Sequence, residues 1–349
     1  MQVILGILFH TIGGISSGSF YMPFKKVKGW AWESFWIVGG LFSWLIVPPI
    51  AAWLTIPNFA SIISEAASQV KGFVFLMGLL WGIGGLTYGL GVRYLGMSLG
   101  NSIVLGFCSA FGALVPSIYY SLNPTPGKTS FTDMLQHAGG QLVLLGVLVC
   151  LIGIAFSGKA GIMKEADLNL DKEKNTSEFS LVKGLIIAII SGILSSFFNF
   201  GIEGGKPMAE EAVRQGFNPL FQNNVTYIVL LWGGLTTNFL WCMYLNFKNK
   251  TFGDYTNQQT PITKNVLFSG IAGTMWFLQF FFYGMGESKL GNGASSWILH
   301  MATIILTANV WGLYLKEWSS VSKATFNTFL LGIGLILLSI VLVGIGNAM

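Results

Sequence analysis

Long apolar stretches without Asp, Glu, Lys or Arg divide this chain at regular intervals. Ten of them reach at least 19 residues: 1–24, 34–64, 72–92, 94–127, 134–158, 184–202, 215–247, 265–286, 290–315 and 324–349. A helix rising 1.5 Å per residue needs about 20 mostly apolar residues to cross the hydrocarbon of a bilayer. The pattern predicts an all-α membrane protein of ten transmembrane helices. The alternating ten-residue segments of a membrane β-barrel are absent. Only Met1 and Gln2 precede the first run, and Lys25 and Lys26 follow it. That is the reverse of a cleavable signal, so a retained first helix is expected. Segments 57–70 and 203–222 predict short helices at the outer interface, the second carrying Glu203, Lys206, Glu210, Glu211 and Arg214.

Composition agrees with residence in lipid. Charged residues make up 9% of the chain, against about 25% in an ordinary soluble domain. Fourteen Lys and Arg fall in loops after odd-numbered helices, three of them (Lys25, Lys26 and Lys28) in the first, and five fall in loops after even-numbered ones. The positive-inside rule then puts odd-numbered loops in the cytoplasm and both termini outside. This bias accounts for the net charge of +5 without a nucleic-acid partner. Cys108, Cys150 and Cys242 lie within predicted helices without metal-ligand spacing, and read as small apolar packing residues.

A motif is written twice. Gly78, Trp81, Tyr88, Gly89, Gly91, Leu95 and Gly96 recur with identical spacing as Gly273, Trp276, Tyr283, Gly284, Gly286, Leu290 and Gly291. Gly6, Gly14, Ile15, Ser17 and Phe20 recur as Gly184, Gly192, Ile193, Ser195 and Phe198. The first motif occupies predicted helices three and eight, an odd number of crossings apart, so its copies must point in opposite directions. The expected domains are a first five-helix repeat at 1–158, a cytoplasmic linker at 159–182 and an inverted five-helix repeat at 183–349. Inverted repeats are the usual architecture of secondary transporters, with substrate bound near the midplane. Duplication without transport would produce the same echo, but would not require polar side chains inside the helices.

Such side chains are present. His10 lies within helix one and His300 within helix nine. An ionisable group at that depth faces a partner or a cavity, and histidine exchanges a proton near neutral pH. Each is either a neutral histidine bonded between helices or a carrier of a coupling proton; Gly14, Ser17 and Tyr21 extend the His10 face. Trp276, Gln279 and Tyr283 share one stripe of helix eight, and Trp81 and Tyr88 repeat the aromatic positions on helix three. Indoles suit the C–H faces of a sugar, and amides and imidazoles its hydroxyls. The alternative is aromatic packing or interfacial anchoring. Asn101, Asn199, Asn238 and Asn309 are further buried amides, either helix glue or substrate partners; Asn199, on the face of Ser195 and Ser196, ranks first. Arg93 reads as a topological anchor, and Glu287 with Lys289 as a solvated pair closing helix eight. No nucleotide-binding loop, metal cluster or nucleophile–base pair stands out. The chain reads as no enzyme, with no cofactor, and a proton gradient as its energy source.

These residues give the chain a strong resemblance to the L-rhamnose–proton symporter family of the drug/metabolite transporter superfamily. It rests on Phe20-Tyr21, Pro23-Phe24-Lys25-Lys26-Val27-Lys28, Trp30, Trp32, Glu33, Trp81-Gly82-Ile83-Gly84, Tyr88-Gly89 and Arg93-Tyr94-Leu95-Gly96-Met97-Ser98. In the second half it rests on Lys206-Pro207-Met208, Met275-Trp276, Leu278 through Tyr283, Ser296-Trp297, Leu299-His300-Met301 and Lys316-Glu317-Trp318. His10 matches a histidine of the family's first helix. The chain departs from the family pattern at Glu287, which replaces a histidine, and around Asn199 and Glu203, where members vary; these positions count for little in coupling. The resemblance implies a bacterial inner-membrane carrier, monomer or loose dimer, that takes up L-rhamnose or a related deoxysugar with protons by alternating access. It also implies a cavity lined by helices that hold His10, Trp81, Trp276, Gln279 and His300. The rival readings are a superfamily exporter of small metabolites and a membrane sugar receptor that moves nothing.

Overall fold

A computed structural model describes residues 2–122, 124, 130–167, 180–290 and 293–349, which contain helices and no strand. In chain order the principal helices are α1 (Gln2–Ser19, prolonged by a turn at Tyr21–Phe24), α2 (Trp32–Thr55), α3 (Ser68–Leu95), α4 (Met97–Leu122) and α5 (Ala138–Asp167). There follow α6 (Leu181–Arg214), α7 (Asn223–Asn249), α8 (Ile262–Leu290), α9 (Gly293–Tyr314) and α10 (Lys323–Ala348). Among the described residues, 8 of these helices are long and apolar enough to cross a membrane. The other two, α4 and α9, are apolar over Leu99–Gly112 and Leu299–Tyr314 and occupy the runs at 94–127 and 290–315.

Two boundaries differ from the sequence expectation. Helix α5 continues to Asp167, into the stretch read as linker, because Lys159, Ala160, Met163, Lys164, Glu165 and Ala166 are good helix formers beyond the apolar run. Residues 168–179 of that linker lie outside the described residues. Helix α6 comes in three pieces, Leu181–Ser195, Phe197–Gly204 and Lys206–Arg214, the last opened by Pro207 in its first turn. Proline suits that place because its missing N–H had no helical partner there. The expected helix within 57–70 is present at Phe59–Glu65.

The chain forms two compact units, Met1–Gly85 with Phe197–Lys289, and Leu86–Ser196 with Leu290–Met349. Each draws on residues from both of the expected repeats, 1–158 and 183–349.

In the first unit, glycine lets backbones meet. A side-chain carbon at Gly78 of α3 would land on the Leu230 carbonyl and within 3.1 Å of the Gly233 Cα in α7. The repeated position, Gly273 of α8, would land on the Gly39 carbonyl and within 3.1 Å of the Gly39 Cα in α2. The two copies of the motif thus each bring a glycine against a main-chain carbonyl of another helix. Asn238 ties this unit together. It accepts from Trp36 Nε1 at 2.9 Å and donates to the carbonyls of Gly82 at 3.0 Å and Gly234 at 2.8 Å. An amide bonded on both ends inside a membrane protein acts as helix glue.

In the second unit, α5 and α10 cross closely over small residues. Side-chain carbons at Gly139, Gly146 and Gly153 would fall 2.6, 2.9 and 2.9 Å from the carbonyls of Gly346, Ser339 and Gly332. Each advance of seven residues along α5 matches seven back along α10, so this pair is antiparallel. Asn309 donates to Ser102 Oγ at 3.1 Å, and Tyr88 donates to Asn101. The three cysteines are buried and free, as small packing residues should be.

Past the membrane-facing part of α5, the Asp167 carboxylate accepts from the Ser322 N–H at 2.7 Å and the Thr325 hydroxyl at 2.5 Å, tethering the start of α10. The Thr325 hydroxyl and the Ser322 N–H hold its carboxyl below the usual carboxylate range. A depressed carboxyl stabilises the fold above its unfolded pKa of about 3.9 and loses that contribution as pH falls through the folded value. Asp167→Asn is thus expected to melt below the wild type at pH 7, with the difference vanishing as the pH drops below about 4. Melting curves in detergent at both pH values test this.

Candidate functional site

Prolines shape the start of the site. Pro48 and Pro49 have no N–H to return to the carbonyls of Trp44 and Leu45. The preceding stretch of α2, Leu41–Ile46, widens into a π-helix, in which the Val47 N–H reaches back to Phe42 O. Trp36 and Trp44 are eight residues apart, roughly 80° beyond two turns of regular α-helix; the wider turn winds Trp44 back toward the Trp36 side. Single π turns recur at functional sites.

Trp36 and Trp44 then line a small pocket with Phe20, Phe24, Ser43, Ala272 and Trp276, floored by Gly39, Gly40 and Gly273. The rings meet mostly edge to face: Phe20 and Trp276 lie 4.0 Å apart, Trp36 and Trp276 6.1 Å, Trp36 and Trp44 6.5 Å. Two polar atoms, Ser43 Oγ and Trp44 Nε1, are buried here with no hydrogen-bond partner. A buried donor without a partner costs about 1–3 kcal/mol, so such a group calls for an explanation. The pocket's free volume is about 10 Å3, room for about one water where ligand pockets usually run to about 300–1,000 Å3, so a ligand enters only where the rings part.

The array continues to the other tryptophan of the repeat. Trp81 sits 6.2 Å from Trp44, 5.0 Å from Phe198 and 5.7 Å from Phe280. Trp81 and Trp276, named from the sequence, are thus joined through Trp44 and Trp36, which were not. All four lie in the first unit, as do His10, Gln279 and Asn199. His10 is fully buried. Its ring meets Tyr283 edge-on at 5.5 Å, and a side-chain carbon at Gly286 would strike it. Ser16, further along α1, donates to Met275 O at 2.9 Å, fixing the register of α1 on α8. Gln279 is buried in α8, and Asn199 is part-buried in α6. His300 is buried in α9, in the second unit. Among the described residues no cluster of three or more His, Cys, Asp or Glu could hold a metal ion.

Ser43, Trp44 and Trp36 escaped the sequence analysis because helical periodicity assigns Trp44 a different face. The signal in the sequence is Pro48-Pro49, two adjacent prolines inside an apolar run.

A family model described as L-rhamnose-proton symport protein matches residues 1–349. The chain belongs to that family. It is 38% identical to the L-rhamnose-proton symporter of Yersinia pestis (strain Pestoides F), over 99% of this chain and 98% of the relative. The L-rhamnose-proton symporter of Escherichia coli (strain 55989 / EAEC) gives the same figures. This is a family of membrane transporters, not of enzymes.

Proposed function

We propose that this protein carries L-rhamnose into the bacterial cell together with a proton, by alternating access across the inner membrane. The observation that carries this reading is the match of the whole chain to relatives named for that transport. The pocket supports it: aromatic faces for the C–H surfaces of a sugar, with unpartnered donors at Ser43 and Trp44 for its hydroxyls. In this reading all ten helices cross the bilayer as two inverted repeats of five, with both termini periplasmic. The equivalent contacts of Gly78 and Gly273 and the antiparallel α5–α10 pair support the inversion. The sugar stacks on Trp276 or Trp81, with Gln279, Asn199 and a histidine at its rim. His10 and His300 take part in proton coupling, and protonation favours the outward-facing, sugar-binding state.

Lumenal pH in proteoliposomes tests the proposal. L-Rhamnose added outside is expected to acidify the lumen, while a hexose does not; L-fucose measures tolerance for other deoxysugars. Sugar entry without a pH change would refute proton coupling. Binding without entry would make the protein a receptor.

A further inference from the structure

The end of α8 carries a carboxyl group inside the protein. Glu287 accepts a hydrogen bond from Asn223 Nδ2 of α7 at 2.7 Å, rather than lying in solvent with Lys289. Its neighbour Gly286 abuts the His10 ring. His10 is eight residues into α1, about 12 Å from its start. Glu287 therefore lies within about one turn of His10's level, inside the bilayer's thickness rather than beyond it.

Every helix around it brings a polar or charged group. Tyr283, one turn back on α8, faces His10, and the phenols of Tyr283 and Tyr227 both lie within reach of the Glu287 charge. From α6, Lys206 forms an ion pair with Glu203 at 2.7 Å and also interacts with Glu287 and with the exposed Glu210. Glu203 acts on Glu287 in turn. One lysine is thus shared by two part-buried carboxylates. With Glu287 ionised, its carboxylate competes with Glu203 for the one lysine. A proton on Glu287 leaves a neutral acid beside a neutral ion pair. A carboxylate at membrane depth is costly, so proton binding lowers the penalty that opposes reorientation of the carrier.

We propose that Glu287 takes the coupling proton, with His10 as its neighbour on the proton path. This rests on the proton-coupled uptake read above and names the group that performs it. No bond other than O–H forms or breaks: the carboxylate gains a proton on one side of the membrane and loses it on the other.

The test compares two transport modes in proteoliposomes. Concentrative uptake needs the proton to leave at each cycle; counterflow, the exchange of labelled for unlabelled L-rhamnose, does not. The wild type is expected to concentrate L-rhamnose on the order of fifty-fold per proton under an imposed potential. Glu287→Gln, a permanent mimic of the neutral acid, is expected to hold a ratio of about one while keeping counterflow within about twofold of wild type. Glu287→Asp is expected to restore concentration with a displaced pH profile. Wild-type concentration by Glu287→Gln would overturn the proposal. So would loss of both modes in Glu287→Gln without recovery in Glu287→Asp, which would make the residue structural. Wild-type protein that moves no protons with the sugar would instead bring down the transport reading, and this assignment with it.

Discussion

The double variant Ser43→Ala/Trp44→Phe is expected to fold as the wild type does and to need about a hundredfold more L-rhamnose for half-maximal uptake. Both substitutions remove buried polar atoms that bond to nothing in the protein. Folding therefore loses no hydrogen bond, and the main structural penalty is the small void left when indole becomes phenyl. Binding is another matter. A sugar hydroxyl that enters the pocket gives up water and needs a partner there, so each lost partner costs about 1–1.5 kcal/mol, or about tenfold. The two residues are adjacent, and their effects need not add fully. Uptake kinetics and detergent melting curves, taken together, decide. A shift in KM at constant melting temperature assigns the two atoms to the sugar. An unchanged KM removes this pocket from the binding site. Trp276→Ala is less informative, because its indole also packs on Phe20 and Trp36 and its loss would disturb both.

Gly78→Val and Gly273→Val are each expected to abolish production of folded protein. Ordinary overpacking costs about 1–3 kcal/mol because neighbouring side chains move aside. Here the obstacle is a main-chain carbonyl, of Leu230 or Gly39, held in another helix. It can move only if two helices separate, α3 from α7 or α8 from α2, and the first separation breaks the Asn238 bond to Gly82 as well. A penalty above about 4 kcal/mol is then expected, a large part of the total stability of a typical domain. Gly85→Ala is the control: a side-chain carbon there meets nothing within 4 Å, and alanine improves helix propensity by about 1 kcal/mol. Monodisperse yield from detergent extracts should be near zero for the valine variants and normal for Gly85→Ala. Normal yield for Gly78→Val would contradict the close approach of α3 and α7.

The two predictions fall on opposite sides of what sequence reasoning reaches. The close-packing glycines were visible as a repeated pattern, and the structure supplies their partners. The positions of the helices were legible as well, because membrane insertion depends on apolar residues summed along one segment, and that sum needs no knowledge of neighbours. His10, Trp81 and Trp276 were legible as candidates for a related reason: polar and aromatic groups are conspicuous in an apolar run. Family membership followed from long local motifs such as Pro23 through Lys28 and Leu278 through Tyr283.

Which side chains meet was decided elsewhere. A regular helix would set Trp44 about 80° off the Trp36 face; the π turn before Pro48-Pro49 brings it back. Glu287 looked like a solvated helix end, since only charge and position were on view, until the register of α8 on α1 and the amide of Asn223 placed it inside. Asn199 and Asn238 looked alike in the sequence, yet Asn238 spends both ends of its amide on backbone and indole groups of other elements. The sequence by itself determined a polytopic helical chain of this symporter family, because hydropathy and motif are properties of contiguous residues. The tertiary structure alone decided the aromatic pocket and the surroundings of Glu287. Those depend on contacts between residues far apart in the chain, set by helix register and the close approach of glycines.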